Sequence, residues 1–328
     1  MTRLSDIGER EAIAILTRIF DRGAPIGLGH DVGVVEWGED YLVVTTDVVN
    51  PRTHVPEGSR PDQIGWYLVA VNLSDVAAAG ARPLGFVGAL SLPPSTDVDF
   101  LKGLARGMEA CAEEFGIAVL GGDTKEADVI SLAGTAIGRV RKDRILLRKG
   151  ARPGDAIVVT GALGRAGLAV AQLADPEMKS EGIKQLLHPY PRLREGQIFS
   201  ESGAVTSCMD ISDGLALSLA QMAAMTGLSY AVEWEKVPRY EPLEALPVER
   251  QKEHALYAGG DFELVATVKS GSVPDLVGRL NEPQRGVRHG LAVIGKVGTP
   301  GPNLLVVGGK QEPLQDRGWE HFRVSHSG

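Results

Sequence analysis

Five short acidic motifs, separated by apolar runs, set the strongest limit on what this chain can fold into. They are Gly29-His30-Asp31, Thr45-Thr46-Asp47, Asn72-Leu73-Ser74-Asp75, Gly121-Gly122-Asp123 and Asp210-Ile211-Ser212-Asp213-Gly214. Taken singly, each fits a turn or a helix cap, where Asp, Ser and Gly are common. Two of them follow strongly apolar runs, Tyr41 to Val44 and Ile117 to Leu120, which read as buried strands delivering an Asp just past their ends. Sites are commonly built at strand ends. Carboxylates among small residues offer hard oxygen ligands on backbone that approaches a ligand closely, which suits Mg²⁺ and the phosphates it bridges.

At 328 residues the chain has length for two domains. Its formal charge of -8, with no Lys/Arg block, argues against a nucleic-acid surface. Cys111 and Cys208 are the only cysteines and lie in no metal or redox motif, so a reducing cytoplasm is the expected location. Charged residues interrupt the first twenty positions and no apolar stretch reaches about 18 residues, so neither a signal peptide nor a membrane span is expected.

The spacing of Ile13, Leu16, Ile19 and Phe20 predicts an amphipathic helix from about Glu9, with Ser5 as N-cap. A glycine-containing loop from Arg22 to Asp31 follows. Then come two paired strands, Val32 to Trp37 and Tyr41 to Thr45, joined at Gly38-Glu39-Asp40. From Asp62 the period becomes helical, which puts Asp75 on a helix. Phe86 to Leu92 reads as a strand, Val98 to Phe115 as a helix, and Ile117 to Leu120 and Val129 to Ile137 as strands. The turn-rich Lys149 to Asp155 marks a boundary, giving domains 1–150 and 151–328. After the apolar Ala156 to Thr160, the glycine turn from Gly161 to Gly167 either presents N–H groups to a phosphate or is a tight strand-to-helix connection.

Competing signatures are incomplete. Gly290 to Lys296 has P-loop spacing, but Val297 replaces the required Ser/Thr, so it reads as a strand with an exposed Lys. Gly27-Leu28-Gly29 with Gly33 misses the dinucleotide fingerprint by one position. Among the histidines, His54 stands out, following Asp47 in a loop broken by Pro51 and Pro56; His188, His254, His289, His321 and His326 are scattered.

In order, the motifs resemble the thiamine-monophosphate kinase family, part of the superfamily that includes aminoimidazole ribonucleotide synthetase. The likeness rests on Thr45-Thr46-Asp47, the run Ala70 to Ala78, Gly121-Gly122-Asp123-Thr124, Asp210 to Gly214 and Gly318-Trp319-Glu320-His321-Phe322. The resemblance implies an α/β fold of α+β type with two domains, and a homodimer in which the N-terminal sheets of two subunits join beside the active site. It implies direct in-line transfer from ATP to thiamine monophosphate with several Mg²⁺ ions and no phosphoenzyme. By matched position, Asp31, Thr45, Thr46, Asp47, Asp75, Asp123, Asp210 and Asp213 would bind metal. Gly121, Gly122, Arg148 and Ser212 would contact the nucleotide, and His54 and Trp319 the thiamine substrate, Trp319 by stacking.

Two positions depart from that pattern. His30 stands where the family usually has a second acid beside Asp31, and Gly260 stands where its Gly-Gly-Glu-Asp-aromatic-Glu-Leu pattern has the first Glu. This leaves either Asp261 or Glu263 for a substrate contact. The alternatives are a superfamily relative acting on another acceptor and a non-catalytic nucleotide-binding homologue. A selenophosphate synthetase would carry a reactive Cys near its start and a hydrogenase-maturation relative a terminal Cys, whereas this chain ends Ser325-His326-Ser327-Gly328.

Overall fold

The computed structural model describes residues 2–20, 23–282 and 290–322. Arg22, His289, His326 and the chain end 325–328 lie outside the described residues.

The helical stripe of the first twenty residues forms α1 (Leu4–Phe20). Gly8 breaks it with φ 74°, so its regular part starts at Glu9 behind a glycine, and Ser5 lies within the first turn rather than capping it. β1 (Gly33–Trp37) and β2 (Asp40–Val49) make the expected antiparallel hairpin. β2 continues to Val49, so Asp47 lies within the strand and not past its end.

α2 (Pro61–Ala78) is apolar around most of its circumference, and it is central: fourteen of its residues are buried. It packs on α3 (Val98–Glu114), which begins at an Asp97 side-chain cap. The two helices touch at glycines; a Cβ on Gly65 would meet the Leu104 carbonyl at 2.0 Å, and one on Gly107 the Asp62 carbonyl at 1.9 Å. Between them in sequence is β3 (Arg82–Leu92), and after α3 come β4 (Val119–Glu126) and β5 (Ser131–Arg141). The sheet order is β1-β2-β5-β3-β4, with β3 and β4 parallel and the other pairs antiparallel. Helix α2 lies against one face. Among the described residues nothing covers the other face, on which Val35, Val44, Val48 and Leu84 are exposed.

β4 departs from expectation. It is an exposed edge strand with Gly121, Gly122 and Asp123 inside it, not a buried strand that ends before them. Gly122 is required by backbone crowding, since a Cβ there would meet the Gly88 carbonyl at 1.9 Å.

The second half opens with β6 (Ala156–Thr160), fully buried, then α4 (Arg165–Gln172), α5 (Lys179–Leu186), α6 (Leu193–Ser202), β7 (Val205–Asp210), α7 (Leu215–Thr226) and β8 (Tyr230–Glu233). It closes with α8 (Val248–Lys252), β9 (Leu264–Val268), α9 (Val273–Leu280), β10 (Leu291–Val297), β11 (Leu304–Val307) and β12 (Lys310–Pro313). Among the described residues, seven strands run β12-β11-β8-β10-β6-β9-β7. Lys296 is an exposed residue of β10, as the rejected P-loop implies. One core runs from α2 through α6 into β7 and β9 and joins the two sheets, and a second, with Ile157, Val159, Met209, Val265 and Ile294, fills the other face of the second sheet. No helix among the described residues is long and apolar enough to cross a membrane.

Candidate active site

A cleft of about 940 Å³ lies where α2 meets the start of α7. Its floor is acidic. Asp31 comes from the loop before β1, Asp75 from the last turn of α2, and Asp210 from the end of β7, and one oxygen of each lies within 4.8 Å of the others. Three elements from both halves of the chain therefore converge on one point.

The supporting bonds explain why these carboxylates hold their places. Thr45 Oγ1 donates to Asp75 Oδ2 at 2.5 Å, and Ser74 Oγ donates to Asp210 Oδ2 at 2.7 Å. Arg148 Nη2 donates to Asp31 Oδ1 at 2.8 Å, while its Nη1 reaches Gln221 Oε1 at 2.8 Å. Asn72, wholly buried, donates to the Leu68 carbonyl and accepts from the Asp47 N–H at 3.1 Å, which fastens β2 to α2 beside the cluster.

Three carboxylates, two buried and one half-buried, share one guanidinium, so ionising all three crowds negative charge together. Burial, then Asp47 and Asp210, raises Asp75 well above the carboxylate range. Burial, then Asp31, pushes Asp210 up to about 8. Burial takes Asp47 to about 6, and burial with Glu9 takes Asp213 to about 6. Burial lowers Arg148, but the charge and hydrogen bonds of Asp31 outweigh it and hold the guanidinium above its ordinary value. Hard oxygens, mutual proximity and unneutralised charge suit a divalent cation such as Mg²⁺.

Several expected residues line this cleft: Asp31, Thr45, Asp47, His54, Asp75, Arg148, Asp210, Ser212, Asp213 and Trp319. Thr46 also borders it, but strand alternation turns its side chain away from Thr45, and its hydroxyl donates to the Gly134 carbonyl at 2.7 Å. The Thr45 and Thr46 hydroxyls thus point to opposite sides of β2, one to Asp75 and one to the Gly134 carbonyl. Gly121, Gly122 and Asp123 stand apart on the exposed edge, where Asp123 is 3.4 Å from Lys125.

Asp261 and Glu263, the two candidates for a substrate contact, are held by bonds inside the fold. Asp261 is buried and accepts from the Gly164 N–H at 2.6 Å and the Ala166 N–H at 2.9 Å. The glycine turn is therefore a tight connection whose donors are held by an internal carboxylate. Glu263 is buried in an ion pair with Arg192 and accepts from Thr160 Oγ1 at 2.7 Å. The residue between them faces the cleft instead. Phe262 has a strained φ of 52° and sets its ring edge-on to Tyr67, 6.0 Å away.

Sequence reasoning missed Tyr67, Gln221, Phe262, His321, Glu9 and Arg10, all of which line the cleft. Tyr67 had a signal, since Tyr67, Val71 and Asp75 recur every four residues on one stripe of α2. His54 and His321 are 5.6 Å apart, and Trp319 is edge-on to His321 at 5.9 Å. Burial, with His321, lowers His54 to about 4, so its imidazole is neutral near pH 7. His30 takes the second acid's place without its charge: Nδ1 accepts from the Arg148 N–H at 3.3 Å, and burial lowers its pKa.

Comparison with known proteins gives this arrangement its class. The N-terminal domain of AIR synthase related proteins matches residues 29–140, and the corresponding C-terminal domain matches residues 152–303. The chain is an AIR synthase related protein. Among relatives, the thiamine-monophosphate kinase of Pyrococcus horikoshii is 33% identical over 321 residues, covering 98% of each chain. That of Archaeoglobus fulgidus is 33% identical over 324 residues, covering 97% of this chain and 99% of its own. A solved structure described as AaThiL complexed with AMPPCP and TMP superposes with a TM-score of 0.81 at 27% identity, covering 98% of this chain and 99% of that one. Within the class, the chain belongs to the thiamine-monophosphate kinase family.

Proposed function

We propose that this chain transfers the terminal phosphoryl group of ATP to thiamine monophosphate, giving thiamine diphosphate and ADP by direct in-line transfer without a phosphoenzyme. The observation that carries the reading is the meeting of Asp31, Asp75 and Asp210 within 4.8 Å on the floor of one cleft. Relatives named for this activity over nearly the full chain support it.

Mg²⁺ held by Asp31, Asp75 and Asp210, with Asp47 and Asp213 beside them, would neutralise phosphate charge as transfer proceeds. The protein supplies placement. Thr45 and Ser74 fix which carboxylate oxygens face the cleft, and Arg148 and Ser212 are positioned for the nucleotide. Neutral His54 and half-exposed Trp319 offer faces to the aromatic, cationic thiamine.

Gly121, Gly122 and Asp123 act, in this reading, across a homodimer. The uncovered apolar face of the N-terminal sheet and the exposed β4 support pairing with a second copy, which would bring these residues towards a partner's cleft. The domain boundary is proposed at 150/151, in the turn before β6. A cytoplasmic location fits the two free, buried cysteines.

Incubation with ATP, Mg²⁺ and thiamine monophosphate, following both products by chromatography, tests the reading. Stoichiometric thiamine diphosphate that disappears with EDTA is expected. ATP binding without product would favour a regulatory homologue or another acceptor.

A further inference from the structure

Two segments form the rim of the cleft: α1, which has no role in the chemistry above, and the stretch from Asp316 to Phe322, which carries Trp319. Helix α1 has almost no apolar anchorage. Gly8 is its only buried residue, and Ile13, Leu16 and Ile19 are exposed. Its fastening is polar. Glu9 Oε2 accepts from the backbone N–H of His321 at 2.8 Å, Arg10 Nη1 donates to Asp316 Oδ1 at 2.9 Å, and Arg10 Nε lies 3.8 Å from Glu320 Oε2. The break at Gly8 falls immediately before these two side chains.

The opposite side of the stretch is fixed to the acidic loop. The Trp319 N–H donates to the Asp213 carbonyl at 3.0 Å, and Gly318 lets the chains approach, since a Cβ there would meet that carbonyl at 2.3 Å. Between the two fastenings sit Trp319 and His321, the latter facing His54.

From this geometry we infer that Glu9 and Arg10 are positioning residues for the phosphoryl acceptor: α1 is a clasp that holds the Trp319 and His321 rings at the cleft. The inference rests on the reading that the acceptor is thiamine monophosphate. A helix held by few buried contacts depends on each polar one, so opening the clasp lets the ring wall move without unfolding either sheet. Asp31, Asp75 and Asp210 take their hydrogen bonds from Arg148, Thr45 and Ser74, none of them on α1.

The test uses the full chain with Glu9→Ala, Glu9→Gln, Arg10→Ala and Arg10→Lys. Steady-state kinetics are read together with the emission of Trp319, isolated by difference against a Trp319→Phe background. Glu9→Ala and Arg10→Ala are expected to shift Trp319 emission to the red and to raise KM for thiamine monophosphate about 5- to 10-fold, the scale of a weakened cation–π wall. KM for ATP and kcat stay within about twofold, as an intact acidic floor requires. Trp319→Ala sets the ceiling for the KM effect. Glu9→Gln keeps the acceptor for His321 and Arg10→Lys keeps the cation, so both restore the wild-type values. Unchanged emission, a loss confined to kcat, or equal damage from Glu9→Gln would overturn the clasp. Absence of turnover in the wild type, with the emission shift intact, would sink the acceptor and leave the clasp standing.

Discussion

Replacing Asp210 by Asn should stabilise the protein in EDTA while abolishing turnover. Asp210 is pushed from an ordinary 3.8 to about 8, first by burial and then by Asp31. With the folded-state value raised, this group's stabilising contribution is complete below about pH 4 and is lost as pH rises through about 8. At pH 7.5 the full linkage would be 1.36 × (7.5 − 3.8), about 5 kcal/mol. Relaxation and water entry within the coupled carboxylates reduce this to on the order of 2 kcal/mol. The amide keeps an oxygen to accept from Ser74 Oγ, now 2.7 Å from Asp210, and needs no proton. For a chain of 328 residues, that corresponds to a rise of about 3 °C in Tm. Thermal denaturation at pH 5 and pH 8, with EDTA and with Mg²⁺, reads it directly. The variant should exceed the wild type in EDTA at pH 8 by this amount and by much less at pH 5, and Mg²⁺ should raise Tm only in the wild type. A variant less stable at pH 8, or one whose Tm still rises with Mg²⁺, would refute the account of Asp210 as a strained cation ligand.

Thr45→Val removes the hydroxyl that orients Asp75 and should weaken Mg²⁺ activation about 10- to 100-fold with little change in Tm; an unaltered Mg²⁺ titration would remove Thr45 from the site. Glu263→Gln leaves Arg192 charged and buried, so urea unfolding should show a loss of about 3 kcal/mol while KM for thiamine monophosphate stays at the wild-type value; a raised KM at full stability would return Glu263 to the substrate. Val48→Lys puts a charge on the uncovered sheet face and should convert a dimer into a monomer in sedimentation experiments, with activity falling in parallel. A fully active dimer would direct attention to another face.

Local periodicity carried the elements whose neighbours are nearby in sequence. The β1–β2 hairpin, α2 and the buried β6 all lie where alternation or helical spacing puts them. β4 was misread because an apolar run signals a face that avoids water without saying which molecule covers it, and in the single chain Leu120 remains 60% exposed. At Thr45 and Thr46 the motif was legible as a unit, but a strand sends successive side chains to opposite faces. The internal bonds of Asp261 and Glu263 were not legible for a related reason: their partners, Gly164, Ala166, Thr160 and Arg192, lie 71 to 103 positions away, where sequence spacing carries no signal. The acidic floor was readable as residue types, and its convergence was not, because it depends on α2 crossing to β7.

That crossing makes the floor a joint. Asp31 and Asp75 belong to one sheet's half of the molecule and Asp210 to the other, and Ser74 donates across the seam to Asp210. A cation seated there would tie the halves to each other, in addition to the apolar core they share.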